Sequence, residues 1–127
     1  MMDLETDRLL LTAWTLSEED IDGLYAYASN PNVGPNAGWK PHESKAESKK
    51  IIEALFLPNQ VWAIREKATG RVIGSISLDP DRRRERVNSR ELGYSLAEDC
   101  WGKGYMTEAA KAVIDYGFSK LELAVLA

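Results

Sequence analysis

The 127-residue sequence contains one cysteine, Cys100, and one histidine, His42. A single cysteine excludes an internal disulfide framework and a zinc site built from several thiolates, and a single histidine excludes a histidine-rich metal site. No apolar run approaches the roughly 20 residues that cross a bilayer as a helix. The opening Met1-Met2-Asp3-Leu4-Glu5 is acidic, unlike a secretory signal, so a cytoplasmic protein without a membrane partner is the expectation. A strong charge of one sign is also missing. Sixteen basic against 20 acidic side chains leave a net charge of −4, which argues against nucleic-acid binding driven by whole-domain charge. Repeats and low-complexity segments are absent, and four Trp, five Tyr and two Phe are too many aromatics for a disordered chain. With 44% apolar residues, the sequence is expected to form one domain over residues 1–127 that needs no disulfide or metal staple.

The pattern alternates between strand and helix. Arg8–Thr15, with three successive leucines and Trp14, reads as a first strand. Ser17 followed by Asp20 marks a helix start, and Ile21, Leu24, Tyr25 and Ala28 follow at helical spacing. Asn30–Pro41 carries three prolines and two glycines and reads as a loop that also holds Trp39. Ser44 and Glu47 open a second helix with Ile51, Ile52 and Leu55 on one face. Gln60–Glu66 and Val72–Leu78 flank the turn Lys67–Gly70 as a hairpin. After a charged connection, Asp79–Arg86, a strand over Arg90–Leu96 leads through Gly102 and Gly104 into a long helix, and Leu121–Ala127 is an apolar tail. This order predicts an α/β or α+β fold, a mixed sheet covered by helices. Trp14, Tyr25 and Trp62 are assigned to the core.

The passage from Glu91 to Ala109 carries the chemistry. In the long helix, Met106, Ala109, Ala110, Val113, Ile114, Gly117, Phe118 and Leu121 form one apolar stripe. Unpaired N–H groups and the dipole at its start favour an anion, above all a phosphate. Gly102 and Gly104 allow close backbone approach and positive φ, and Lys103 adds a cation. The sequence contains no Walker A motif, and the dinucleotide pattern fails because Thr107 stands where its third glycine belongs. On these residues alone, a phosphate site and an ordinary helix-entry turn both remain open.

Glu91-Leu92-Gly93-Tyr94 followed by Trp101-Gly102-Lys103-Gly104-Tyr105-Met106-Thr107-Glu108-Ala109 resembles the acetyl-CoA motif of the GNAT N-acetyltransferases. The nearest branch is the one that acetylates N-termini of ribosomal proteins (RimJ/RimL-like). Thr6-Asp7-Arg8-Leu9-Leu10-Leu11, Trp39-Lys40-Pro41-His42 and Ile73-Gly74-Ser75-Ile76 fit the same branch, so the resemblance runs through the whole chain. It implies a mixed, mostly antiparallel central sheet flanked by helices. It also implies acetyl-CoA as co-substrate, with pantetheine along Tyr94, Ser95 and Leu96. The pyrophosphate would then lie on amides from Trp101 through Gly102, Lys103, Gly104, Tyr105 and Met106 to Thr107. The acceptor is a primary amine, on a protein N-terminus or a small molecule, that attacks the thioester directly with no acyl-enzyme. Such chemistry needs a base and an N–H for the developing oxyanion. Strand alternation puts Glu91, Gly93 and Ser95 on one face, which makes Glu91 the candidate base, with a plain surface carboxylate as the other reading. Trp39 and His42 are candidates for the acceptor pocket, or for loop packing.

Two departures from the family pattern stand out. Asp99 occupies a position usually held by Arg or Gln, close to where phosphates are expected. The chain also ends within what resembles the family's fifth strand, so the expected fold lacks the C-terminal helix and strands. Its open sheet edge then predicts a homo-oligomer paired edge to edge. Cys100 as an acyl relay stands against a packed thiol. The Arg82, Arg83, Arg84, Arg86 and Arg90 cluster reads as an anion contact or as a solvated loop. A fragment that binds CoA without turnover, and an assembly subunit whose loop is only a helix entry, are the rival functional readings.

Overall fold

The computed structural model describes residues 3–34, 40–59, 61–80, 89–120 and 125–126. Six strands lie in the order β1 (Leu4–Glu5), β2 (Leu9–Ala13), β3 (Val61–Glu66), β4 (Val72–Pro80), β5 (Ser89–Leu96) and β6 (Val125–Leu126). Every neighbouring pair is antiparallel except β5–β6, which is parallel. The helices are α1 (Glu18–Ala28), α2 (Lys45–Ile51) and α3 (Tyr105–Lys120). The element order predicts a mixed sheet covered by helices, and the mostly antiparallel pairing is the one the family resemblance implies. β1 escapes the sequence pattern because two residues are too few for alternation to register; it exists by pairing Leu4 with Leu11 and Glu5 with Leu10.

Both helix starts are capped as expected. The Ser17 hydroxyl accepts from the Asp20 amide at 3.2 Å, and the Ser44 hydroxyl accepts from the Glu47 amide at 3.2 Å. The end of α2 departs from the expected periodicity. Ile52–Phe56 forms a π-turn closed by the Leu57 amide on the Ile52 carbonyl at 2.9 Å. The wider turn rotates Leu55 outward, where it is 51% exposed, and brings Phe56 to 5.0 Å from the Trp14 ring. In α1, Tyr27 takes the core place assigned to Tyr25, which is only partly buried. Trp14 and Trp62 are buried as expected.

The two sheet faces differ in character. Trp62 stands opposite Ile76 and meets Tyr116 of α3 edge-on at 5.3 Å, so this face is apolar. Ala63 pairs with Ser75, and Ser75 pairs in turn with Ser95, so the face toward α1 and α2 carries buried hydroxyls. The Arg82–Arg86 cluster lies outside the described residues, as does part of the Asn30–Pro41 loop.

Asp20 is the most deeply buried carboxylate among the described residues. Arg65 grips it with two hydrogen bonds of 2.8 and 3.0 Å, and the Thr15 amide and hydroxyl each donate to it at 2.8 Å. Burial pushes its pKa up, but these donors outweigh that effect and hold it below the ordinary carboxylate value. Asp20→Ala strands the half-buried Arg65 charge and is expected to destabilise the fold by about 3 kcal/mol, read as a lower urea midpoint. Because the folded-state pKa is depressed, the wild-type stabilisation is complete above the unfolded value of about 3.9 and disappears as pH falls through the lower folded value. The variant should lack that acid-side loss.

Candidate functional site

β5 runs from Ser89 to Leu96, bends through the 3-10 turn Glu98–Cys100, and reaches α3 through Trp101–Gly104. Gly102 and Gly104 have φ of 77° and 78°, a backbone region that L side chains enter only at a cost. The Gly104 carbonyl accepts the first helical bond, from the Glu108 amide at 3.1 Å. The start of the 16-residue α3, with its outward amides, therefore stands directly after the loop.

Between the end of β5 and this helix start lies a cavity of about 390 Å3. Of the ten residues the sequence singles out for the cofactor, every one except Lys103 lines it: Tyr94, Ser95, Leu96, Trp101, Gly102, Gly104, Tyr105, Met106 and Thr107. Cys100, weighed from the sequence as an acyl relay, joins them, and so does Val33, which the sequence pattern did not indicate. Val33 is held there through Asn30 and Asn32, whose side-chain amides donate to the Glu98 carboxylate at 3.3 and 2.7 Å. Tyr94 and Trp101 are 59% and 43% exposed, so two large aromatics stand open on the cavity wall. The Trp101 indole donates to the Leu96 carbonyl at 2.9 Å, fixing the corner between strand and loop. Among the described residues β6 pairs only with Ser89 and Arg90, so Tyr94–Leu96 have a sheet partner on one edge, β4.

Two carboxylates near the loop, Glu66 and Asp99, are held by neighbouring donors. The Tyr105 hydroxyl donates to Glu66 at 2.6 Å, which lowers the Glu66 pKa and raises that of Tyr105. Asp99, the departure from the family pattern, is held by two hydrogen bonds from Arg71 at 2.8 and 2.9 Å. Those hydrogen bonds keep its carboxyl below the usual range, and Asp99 is not among the residues lining the cavity. Its charge is thus answered by a cation from the β3–β4 turn, a pairing no local pattern announces. Burial, with the Asp99 charge adding to it, pushes the Cys100 thiol up, so it packs as a protonated thiol rather than a nucleophile.

A second cavity, also about 390 Å3, opens between α2 with its π-turn and the hydroxyl-bearing sheet face. Its walls include His42, Phe56, Asn59, Ser75 and Ser77, and it shares Tyr94 and Ser95 with the first. The Ser75 and Ser95 hydroxyls are 2.9 Å apart across the strands. Beneath them the buried Tyr27 hydroxyl has its pKa pushed up to about 12 by burial, an effect the two serines oppose without reaching hydrogen-bond geometry. His42 is anchored by its amide on the Ala28 carbonyl at 2.9 Å and by Nδ1 against the Ser48 hydroxyl at 2.8 Å. Burial pushes its pKa down, against the Glu47 charge, which favours the neutral ring. Glu91 sits in β5 opposite Asp79, two residues before Gly93 along the strand. Trp39 lies outside the described residues.

The sequence profile of the acetyltransferase (GNAT) domain matches residues 8–127. The chain is 35% identical over 129 residues to p20, an uncharacterised N-acetyltransferase of Bacillus licheniformis, covering 97% of this chain and 70% of the relative. A GNAT-family acetyltransferase from Bacillus anthracis has a similar fold, with a TM-score of 0.84 at 18% identity over 98% of this chain and 71% of that one. So does a ribosomal-protein-S5-alanine acetyltransferase from Vibrio fischeri, with a TM-score of 0.71 at 19% identity over 99% and 72% of the two chains. The chain belongs to the GNAT family of N-acetyltransferases. Among the described residues no helix is long and apolar enough to cross a membrane.

Proposed function

We propose that the chain is a single GNAT domain transferring an acetyl group from acetyl-CoA to a primary amine, which attacks the thioester directly. One observation carries this reading: a cavity on the half-open end of β5 and a two-glycine helix entry meets a second cavity at Tyr94 and Ser95. The first suits a long ligand with a phosphate end, and the second suits a small amine brought to its reactive end.

In this reading Tyr94, Ser95 and Leu96 offer backbone groups to the pantetheine arm. The amides of Trp101–Thr107, with the dipole of α3 and the Lys103 charge, hold the pyrophosphate. Acetyl-CoA supplies the thioester. His42 and Trp39 shape the acceptor pocket, and Glu91 serves as the base for the acceptor ammonium. The fold similarity to a ribosomal-protein acetyltransferase supports the RimJ/RimL-like branch and a protein N-terminus as acceptor, with a small-molecule amine as the alternative. The chain would act in the cytoplasm, without membrane or nucleic acid, as a homo-oligomer joined along an open sheet edge.

Calorimetric titration with acetyl-CoA, with CoA for comparison, tests the reading. Saturable binding near micromolar, about −8 kcal/mol, is expected. Neither heat nor a thermal shift with either ligand would overturn it and leave the loop as an ordinary helix entry.

A further inference from the structure

Arg8, just before β2, reaches the glycine loop and the first turn of the helix it opens. Its Nη1 donates to the Lys103 carbonyl at 2.8 Å, and its Nε donates to the Glu108 carboxylate at 2.9 Å. Its backbone amide donates to the same carboxylate at 3.0 Å, and the Thr6 hydroxyl donates there too. The guanidinium lies 4.4 Å from the centre of the Tyr105 ring. A Cβ built on Gly104 would sit 3.4 Å from Nη2, so the guanidinium runs directly beneath the second glycine.

The geometry has a directional consequence. The Lys103 carbonyl and the Gly104 N–H belong to one planar trans peptide, so they point in opposite directions. Pinning the carbonyl on Arg8 turns the Gly104 N–H away from Arg8, toward the side on which Gly104 lines the cavity and Arg8 does not. The same guanidinium neutralises Glu108, a carboxylate in the first turn of α3 that would otherwise oppose an anion at the helix start.

We propose that Arg8 is a positioning residue for the phosphate-bearing end of the cofactor: it presents the Gly104 amide and masks Glu108, without itself touching the ligand. The proposal rests on the acetyl-CoA reading above and adds a residue about 100 positions away in sequence to that site. A lysine cannot replace it, because one ammonium lacks the planar fork that reaches the Lys103 carbonyl and Glu108 together.

The test is titration of wild type, Arg8→Met and Arg8→Lys with two probes, acetyl-CoA and S-acetylpantetheine, the second lacking both pyrophosphate and nucleotide. Thermal unfolding of each variant is measured alongside. Arg8→Met should weaken acetyl-CoA binding about tenfold or more and leave S-acetylpantetheine within about twofold, while Arg8→Lys regains only part of the loss. A purely structural role would weaken both probes together, and that result overturns the proposal. Wild-type affinity for acetyl-CoA in a folded Arg8→Met protein overturns it as well. If Arg8→Met fails to fold, Arg8→Lys carries the same two-probe comparison. If wild type binds neither probe, the acetyl-CoA reading itself fails and takes this proposal with it.

Discussion

Gly104→Asp should abolish measurable acetyl-CoA binding, a loss of at least about 100-fold, or about 2.7 kcal/mol. Three effects act in the same direction. At φ 78° any L side chain is strained, by about 1–2 kcal/mol. The new carboxylate would stand at a helix entry proposed to hold phosphates, where like charges about 4 Å apart repel by roughly 4 kcal/mol at an effective dielectric of 20. Its Cβ would also lie 3.4 Å from Arg8 Nη2, so the carboxylate competes with the Lys103 carbonyl for the guanidinium. Gly104→Ala carries the strain and the Cβ contact with Arg8 but no charge, and should lose roughly tenfold, which separates the charge from the rest. Titration of both variants measures the difference. Unchanged binding by Gly104→Asp would place the cofactor elsewhere.

Gly74→Ala is expected to be strongly destabilising although it adds a single methyl group. Gly74 stands opposite Leu96 in the β4–β5 ladder, and a Cβ there would come within 2.3 Å of the Ser95 carbonyl oxygen and 3.2 Å of the Leu96 Cα. The obstacle is backbone of the neighbouring strand and cannot rotate aside, so β4 and β5 must separate locally. Overpacking of this kind costs about 3 kcal/mol. The damage should reach function too, because Ser95 and Leu96 line the proposed cofactor cavity. Urea unfolding and acetyl-CoA titration are expected to fall together. A variant within about 0.5 kcal/mol of wild type in urea would mean that this strand contact is wrong.

Much of this arrangement can be read along the chain. Ser17 and Ser44 announce their helices because a cap is a contact over three residues. The Lys67–Gly70 turn, with Gly70 at φ 74°, joins two strands that differ little from their expected limits. The Tyr94–Thr107 segment stands out because one strand end, two glycines and an apolar helix stripe are consecutive in sequence. Where the structure departs from the local pattern, a longer-range contact overrides a local one. The π-turn at Ile52–Phe56 exchanges Leu55 for Phe56 because Phe56 can meet Trp14, about 40 residues earlier. Tyr27 displaces Tyr25 from the core, with its hydroxyl beneath the Ser75–Ser95 pair.

Asp20 illustrates the boundary between the two kinds of information. Its position three residues after Ser17 marks a helix start, yet nothing nearby indicates that its carboxylate turns inward to Arg65, 45 residues away. Asp99 looked like a misplaced charge until Arg71 arrived from another turn to hold it.

By itself the sequence determined the helix starts, the hairpin, the glycine loop and the family, since each rests on residues within a few positions of one another. Only the tertiary structure decided that Arg8 underlies the loop, that Asp99 is neutralised, and that two cavities meet at Tyr94 and Ser95. Local conformation follows from backbone sterics and short-range hydrogen bonds. Ion pairs and cavities depend on which distant segments the sheet register brings together.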